Sequence, residues 1–449
     1  MRLELWAAEG AAAFAALQQA VPAASVHRCA NSFLNHRLYC SLDHLRELRL
    51  SEMTPAEEIR MGVELRPLGV TCNIMCQYCY QNPIRDSGSL RQRYDMDAML
   101  AALAEDAEPF TLFGGEPLLM PLPDLERLWA FGLARFGRNR VQTNGTLISE
   151  RHMDLFATYA VHVGISIDGP EALNDARWAG SIDRTREQTR NVDRAIAGLC
   201  ERGLHPSLII TIHRGNGLPQ HWPLMDDWLL QMQARGVEKV RLHALEVDSD
   251  AVQSHWAMSD AETIAAFQHF YHFEREQLTS MHFDIFDEVR ALLRGMDDQT
   301  GCVWHGCDPY TTGAVHGIEG FGERSNCGRT NKRGIDFIKS DDPGHERSIA
   351  LWFTPQAAGG CRDCRFFAMC KGQCPGTSID GDWRNRSAQC ALWTALFVQI
   401  EEELLAAGET PLSRDPRRAE IEHKLIQSMI DDRRVPLLTD IVNDLDGRM

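Results

Sequence analysis

From residue 63 onward, short apolar runs alternate with longer helical stretches six times in succession. The runs cover residues 63–70, 110–113, 140–143, 162–167, 207–213 and 240–245. The stretches with helical period cover 96–105, 124–134, 150–159, 185–202, 221–235 and 260–274. Six strand-then-helix units in a row predict an α/β fold with a parallel sheet and right-handed crossovers. Periodicity alone leaves two versions open, a doubly wound sheet or part of a barrel. In both, ligands sit beyond the carboxyl ends of the strands, so the residues just after each run carry the functional argument.

The regions around this core read differently. Residues 1–62 are mostly helical in texture, without a sharp motif and without the strand-and-helix pattern of a peptide-recognition module. After Gly301 the chain is dense in Gly, Cys, Asp and Arg until Cys390, too poor in apolar runs to build much of a core. Bound metal is expected to substitute for that core. Residues 391–449 return to helix, around 391–407 and 419–432. The expected divisions are therefore 1–62, 63–285, 300–395 and 396–449. A net charge of −17 has the wrong sign for a non-specific nucleic-acid binder. No run of 18 apolar residues is present to span a membrane, and the N-terminus lacks the marks of a secretory signal. The setting predicted is cytoplasmic and reducing, where thiols bind metal more often than they pair.

The chain has 14 cysteines, very unevenly placed. Cys72, Cys76 and Cys79 fall in one loop after the first run, and eight more lie between Cys302 and Cys390. Cys29, Cys40 and Cys200 stand apart and read as small buried hydrophobes. Three thiolates in one tight loop can hold three corners of a four-iron cluster, leaving one iron open to a ligand. A zinc site with a distant fourth ligand, or three structural thiols, would use the same spacing. The next runs end in polar, glycine-rich turns. Gly114, Gly115 and Glu116 follow the second, Asn144 the third, and Ser166 and Asp168 the fourth. The glycines would let backbone approach a ligand, Glu116 would accept from an ammonium group, and Asn144, Ser166 and Asp168 would meet hydroxyls. Four ligand-type turns on four successive strand ends argue for a binding site.

With Cys72, Cys76, Tyr78 and Cys79 in the pattern C-x3-C-x-aromatic-C, followed by Gly-Gly-Glu-Pro, the sequence resembles the radical S-adenosylmethionine (radical SAM) superfamily. The resemblance implies a partial (β/α)6 TIM-type barrel and a 4Fe–4S cluster on the three cysteines, chelated by SAM at its open iron. Reductive cleavage of SAM would then give a 5′-deoxyadenosyl radical. It further implies that Gly114, Gly115 and Glu116 contact the SAM amine, Ser166 and Asp168 the ribose side, and Tyr78 the adenine region. An arginine after the fourth strand would reach SAM, with Arg177 preferred to Arg184.

Downstream, the spacing C-x4-C-x19-C and then C-x2-C-x5-C-x3-C-x15-C supplies eight ligands, enough for two four-iron clusters or for two zinc ions. It resembles the SPASM extension of radical SAM enzymes. That likeness implies an interleaved assignment: Cys302, Cys307, Cys327 and Cys374 for one auxiliary cluster, and Cys361, Cys364, Cys370 and Cys390 for the other. Three 4Fe–4S clusters and SAM are thus the expected cofactors. The expected partners are a peptide or protein substrate, a flavodoxin- or ferredoxin-type one-electron reductant, and a separate peptide-recognition protein. SPASM enzymes mostly cross-link, oxidise or epimerise side chains. Sulfatase maturases of this group place an Asp base after the third ligand of the first auxiliary cluster, where this chain has Gly328. A ribosomal-peptide maturase is therefore the leading expectation. The alternatives are a sulfatase-maturase-like or small-molecule radical SAM dehydrogenase, and a non-catalytic iron–sulfur scaffold. His213, His243, Glu246, Asp308 and Tyr310 are the acid–base candidates.

Overall fold

Residues 62–86, 93–312, 316–330 and 344–447 are described by the structure, a computed structural model. The expected N-terminal helices, with Cys29 and Cys40, lie outside the described residues. The first strand, β1 (Val63–Arg66), buries Val63 and Leu65 on one face and turns Glu64 and Arg66 to the other. Then follow α1 (Met96–Glu105), β2 (Phe110–Leu112), α2 (Leu122–Phe136), β3 (Asn139–Thr143), α3 (Glu150–Thr158) and β4 (Val161–Ser166). The series continues with α4 (Ile182–Glu201), β5 (Ser207–Ile212), α5 (Trp222–Arg235), β6 (Lys239–Ala244) and α6 (Asp260–Gln277). All six expected strands pair in parallel in chain order. Their buried side chains meet the helices in one core around Leu112, Trp129, Phe156, Ile165 and Ile210. This is the partial (β/α)6 barrel that the resemblance implied, one of the two versions the alternation left open.

Both edges of that barrel are extended. The short strand β7 (His282–Phe283) pairs in parallel with β6 and leads into α7 (Asp284–Leu293). On the other edge β8 (His316–Glu319) runs parallel to β1, and β9 (Arg324–Asn326) returns antiparallel to β8. The cysteine-rich segment thus donates a hairpin to the barrel's own sheet. Its polar residues are used up in that seam. Arg66 faces Glu319 across the β1–β8 register and bonds it, together with Ser325 Oγ at 2.6 Å. The segment also holds α8 (Glu346–Phe353) and a turn of helix at Phe367–Cys370, and it ends in α9 (Cys390–Ala406). Helix α9 packs on α6 and α7, with Trp393 edge-on to Phe267 and Trp304. The chain closes with α10 (Arg418–Asp431) and α11 (Leu438–Leu445). No helix among the described residues is long and apolar enough to cross a membrane.

Candidate metal and ligand centre

The loop after β1 is stitched to two neighbours. Met75 N–H donates to the Trp178 carbonyl at 2.7 Å and Gln77 N–H to that of Ala176 at 2.8 Å, which tie it to the segment after β4. Glu116 N–H donates to the Thr71 carbonyl at 2.8 Å, which ties it to the turn after β2. That second contact explains Gly114 and Gly115. A Cβ on Gly115 would lie 1.9 Å from the Thr71 carbonyl oxygen, and one on Gly114 2.6 Å from that of Gly69. Both also have positive φ, at 20° and 87°, which side chains disfavour. Beside the ligand role expected of them, these glycines admit the backbone of the cysteine loop.

Glu116 has a structural role of the same kind. Its carboxylate is 1% exposed and accepts from Thr143 Oγ1 at 2.7 Å, Asn144 N at 2.8 Å and Leu118 N at 2.9 Å. It fixes the turns after β2 and β3 rather than presenting a bare carboxylate. Burial raises its pKa, opposed by those three donors. Asn144, so held, turns its amide to Cys72 Sγ at 3.6 Å and Asn73 Oδ1 at 2.9 Å.

On the opposite side stands Asp168, fully buried at the end of β4. It accepts from the Tyr78 hydroxyl, from Arg177 Nε at 3.1 Å and from Thr211 N at 3.0 Å. His213 Nε2 lies 3.7 Å away, and its ring packs between those of Tyr78 and Trp256 at 5.2 and 5.1 Å. Asp168, for which a role on the ribose side is expected, anchors Tyr78 and Arg177. Ser166 accepts from Gln142 Nε2 at 2.8 Å and stays half-buried at the strand end. Arg177 reaches Cys76 Sγ at 3.9 Å. Burial works against its charge, but Asp168, Tyr78 and Cys76 outweigh this and raise its pKa. The Arg177 preferred from sequence is thus at the loop, whereas Arg184 sits at the start of α4. Burial pushes the Cys76 thiol up to about 12 and raises Cys72 and Cys79 too. Metal binding here releases protons.

The eight downstream cysteines separate into two neighbourhoods. Cys302, Cys327 and Cys374 act on one another electrostatically, and burial pushes Cys302 to about 12 and Cys327 to about 11. Cys307 sits in the turn after Cys302, where Thr312 donates to its sulfur at 3.8 Å. Cys361, Cys364, Cys370 and Cys390 line one small cavity with Phe366, Phe367, Trp393 and Phe397. Among the described residues, no three Cys, His, Asp or Glu side chains converge as around a single metal ion. Cys200 is half-buried against the core.

Other candidates settle into distinct places. Asp308 is a buried turn acceptor for Tyr310 N at 2.9 Å, and Tyr310 packs on Trp383. Glu246 and His243 converge on Arg329, a residue sequence reasoning missed. Arg329 Nε bonds Glu246 Oε1 at 2.8 Å, and its Nη2 lies 3.3 Å from His243 Nδ1. Burial drives the His243 pKa well down and Arg329 adds to the shift, so the ring is neutral and accepts from the guanidinium. Tyr80 was missed as well. Beside Cys79, its hydroxyl would stand 2.9 Å from a Cβ on Gly328. Its adjacency to a ligand cysteine was the available signal, as it was for Arg329 two residues after Cys327. Glu246 and Arg329 form the inner wall of a cavity of about 830 Å³ between the exit of β6 and residues 375–389.

Residues 67–224 match the radical SAM superfamily. A serine-type anaerobic sulfatase-maturating enzyme of Klebsiella aerogenes is 28% identical over 193 residues, 40% of this chain and 46% of that protein. The enzyme of the same name from Bacteroides thetaiotaomicron is 33% identical over 129 residues, 25% of this chain and 30% of its own length. The chain thus spans less than half the length of these relatives. Among solved structures, native anSMEcpe with bound AdoMet and Cp18Cys peptide superposes with a TM-score of 0.60 at 16% identity. The match covers 77% of this chain and 98% of that one, a likeness of fold. The match to the radical SAM superfamily thus falls on the residues that contain the three-cysteine loop and its walls.

Proposed function

We propose that this protein is a radical SAM enzyme that modifies a side chain of a peptide or protein. The observation that carries the reading is the loop of Cys72, Cys76 and Cys79 between two polar walls, Asn144 on Cys72 and Arg177 on Cys76. Those cysteines would hold a 4Fe–4S cluster with one open iron, and with SAM bound there the cluster supplies a 5′-deoxyadenosyl radical on one-electron reduction. The chain's own residues position and protect. Asp168 fixes Tyr78 and Arg177, so that a cationic guanidinium stands beside the anionic thiolates. Glu116 fixes Asn144 opposite. Asn144 and Ser166 are the polar groups left at the strand ends for SAM hydroxyls. The two downstream groups, Cys302, Cys307, Cys327 with Cys374 and Cys361, Cys364, Cys370 with Cys390, would each complete a four-thiolate set. A flavodoxin- or ferredoxin-type reductant would supply the electron. A separate recognition protein presenting the peptide, and a cytoplasmic setting, complete the reading.

A peptide substrate is supported by the fold shared with anSMEcpe, whose structure holds a peptide. The 830 Å³ cavity supports it further, because its inner wall adjoins Cys79 through Glu246 and Cys302 and Cys374 through Arg329. Oxidation of a protein side chain as in the sulfatase-maturating relatives is the second reading, favoured by the sequence matches. Position 328 weighs against it. A side chain there would crowd the Tyr80 hydroxyl, so the expected aspartate has no room without movement.

The test is iron content and SAM cleavage after anaerobic reconstitution. Wild type should hold about twelve iron atoms per chain, three sets of four. Replacing Cys72, Cys76 and Cys79 together by Ala should remove about four of these and abolish 5′-deoxyadenosine formation. Continued reductive SAM cleavage by that variant would show the radical site to be misassigned.

A further inference from the structure

The cavity beside Arg329 has a charge pattern of its own. Among the described residues seven charged side chains line it, five carboxylates and two guanidiniums. Both guanidiniums are engaged within the lining: Arg329 with Glu246 at 2.8 Å, and Arg384 with Asp382 at 2.6 Å. The described lining residues together carry three net negative charges. Two described cations behind it, Arg214 and Arg347, are committed elsewhere. Arg214 donates to the Ala257 carbonyl at 2.7 Å and acts on Glu262. Arg347 is fully buried beneath residues 372–385, donating to the carbonyls of Gly372, Gln373, Trp383 and Asn385, with Asp308 beside it.

The charges are also arranged in depth. The inner end is the Glu246–Arg329 pair against the cysteine loop. Asp260 at the start of α6 and Asp380 in a tight turn are exposed at the rim. Between them the wall is mainly small or apolar, including Gly376, Ala388 and Leu392, with Trp383 half-buried in it. At about 830 Å³ the space lies within the upper range of ligand sites. A wall of small residues leaves room for a backbone, a negative rim attracts a cation, and an indole is the best aromatic partner for an ammonium or guanidinium group.

We infer that this cavity selects a cationic segment of the substrate, in which a Lys or Arg sits at the Asp260–Asp380 rim while a neighbouring residue reaches inward to the Glu246–Arg329 wall. The inference rests on the peptide reading above and names the class of peptide. It is tested by binding, without turnover. Fluorescein-labelled Gly/Ser peptides of equal length, carrying two Lys, two Gln or two Glu, are titrated into reconstituted holoenzyme at low salt and followed by anisotropy. The Lys peptide should bind roughly tenfold tighter than the Gln peptide, with the Glu peptide weakest. The double variant D260N/D380N should lose most of that preference. The double variant D97N/D183N, which removes as many charges outside the cavity, should keep it. Equal binding of the three peptides would overturn the inference. So would equal losses in the two double variants, because the preference would then be the general pull of a chain of net charge −17. Failure of the broader reading shows elsewhere, as absence of 5′-deoxyadenosine from the wild type.

Discussion

The loop of Cys72, Cys76 and Cys79 is walled by polar groups, whereas Cys361, Cys364, Cys370 and Cys390 are walled by rings. Asn144, Arg177 and the Asp168 network face the first set. Phe366, Phe367, Trp393 and Phe397 close around the second. Three thiols among hydrogen-bonding groups suit a centre that must exchange a polar ligand. Four thiols in an apolar cage suit one that is sealed. Their supports differ too. The first loop hangs on strand ends in the middle of the core, whereas the rings around the second lie in the part of that same core which the cysteine-rich segment contributes. The second is assembled from a short turn and the start of α9, with the ligands themselves forming much of the contact.

The sharpest way to break this comparison is Gly115→Ala. The new methyl group would collide with the Thr71 carbonyl at 1.9 Å in a backbone conformation that already disfavours it. The turn and the cysteine loop must separate, and a shift of about 1 Å near reacting groups costs on the order of 100-fold in rate. Reductive SAM cleavage should fall by at least that factor while iron at the downstream cysteines is retained, read by cleavage assay and iron analysis on one sample. Cleavage at the wild-type rate would mean the two loops are not coupled as drawn.

Cys370→Ala probes the other side. Cys370 is caged with three further thiols, so its loss opens the set and uncouples metal from folding. Melting should drop by about 4–8 °C, as a loss of ~2 kcal/mol produces in a domain of this size. Formation of 5′-deoxyadenosine should continue. A variant that melts like wild type would remove the argument that metal substitutes for core in this segment.

What was readable from sequence follows the same division. All six barrel strands were legible because buried parallel strands are short apolar runs with helices between them. The three-cysteine loop was legible because its ligands are consecutive. The β8–β9 hairpin was not, because His316, Glu319, Arg324 and Ser325 look like a polar loop. Their partners Arg66 and Asp106 lie more than 200 residues away. The two charged residues inside β1 were the clue, since a central strand has no place for Glu64 and Arg66 unless something polar lies beside it. Glu64 in fact accepts from Gly328 N at 2.7 Å. At the site, spacing identified the turns that converge but not the direction of each side chain. That Glu116 and Asp168 hold Asn144, Tyr78 and Arg177 in place was therefore not readable beside the ligand contacts expected of them.

The smallest effect expected is at the seam that joins the two regions. Asp106, just after α1, bonds His316 of β8 at 3.0 Å and Arg324 of β9, pinning the hairpin of the cysteine-rich segment to the barrel. Burial opposes the charge of Asp106, but the hydrogen bonds and charges of His316 and Arg324 outweigh this and hold its pKa below the ordinary 3.8. A carboxyl whose folded pKa is depressed contributes stability that is present above its unfolded pKa and lost as pH falls through the folded value. Asp106→Asn keeps an acceptor but removes that charge, and at pH 7 it should cost about 1 kcal/mol, or 2–4 °C in melting. Below about pH 5 the gap between wild type and variant should close as the solution is made more acidic, because protonated Asp106 no longer differs in charge from Asn. Melting curves across that range check the sign. A gap that widened on acidification would mean that the pair does not hold the carboxylate, and the seam would then rest on the β1–β8 backbone ladder and the Arg66–Glu319 pair alone.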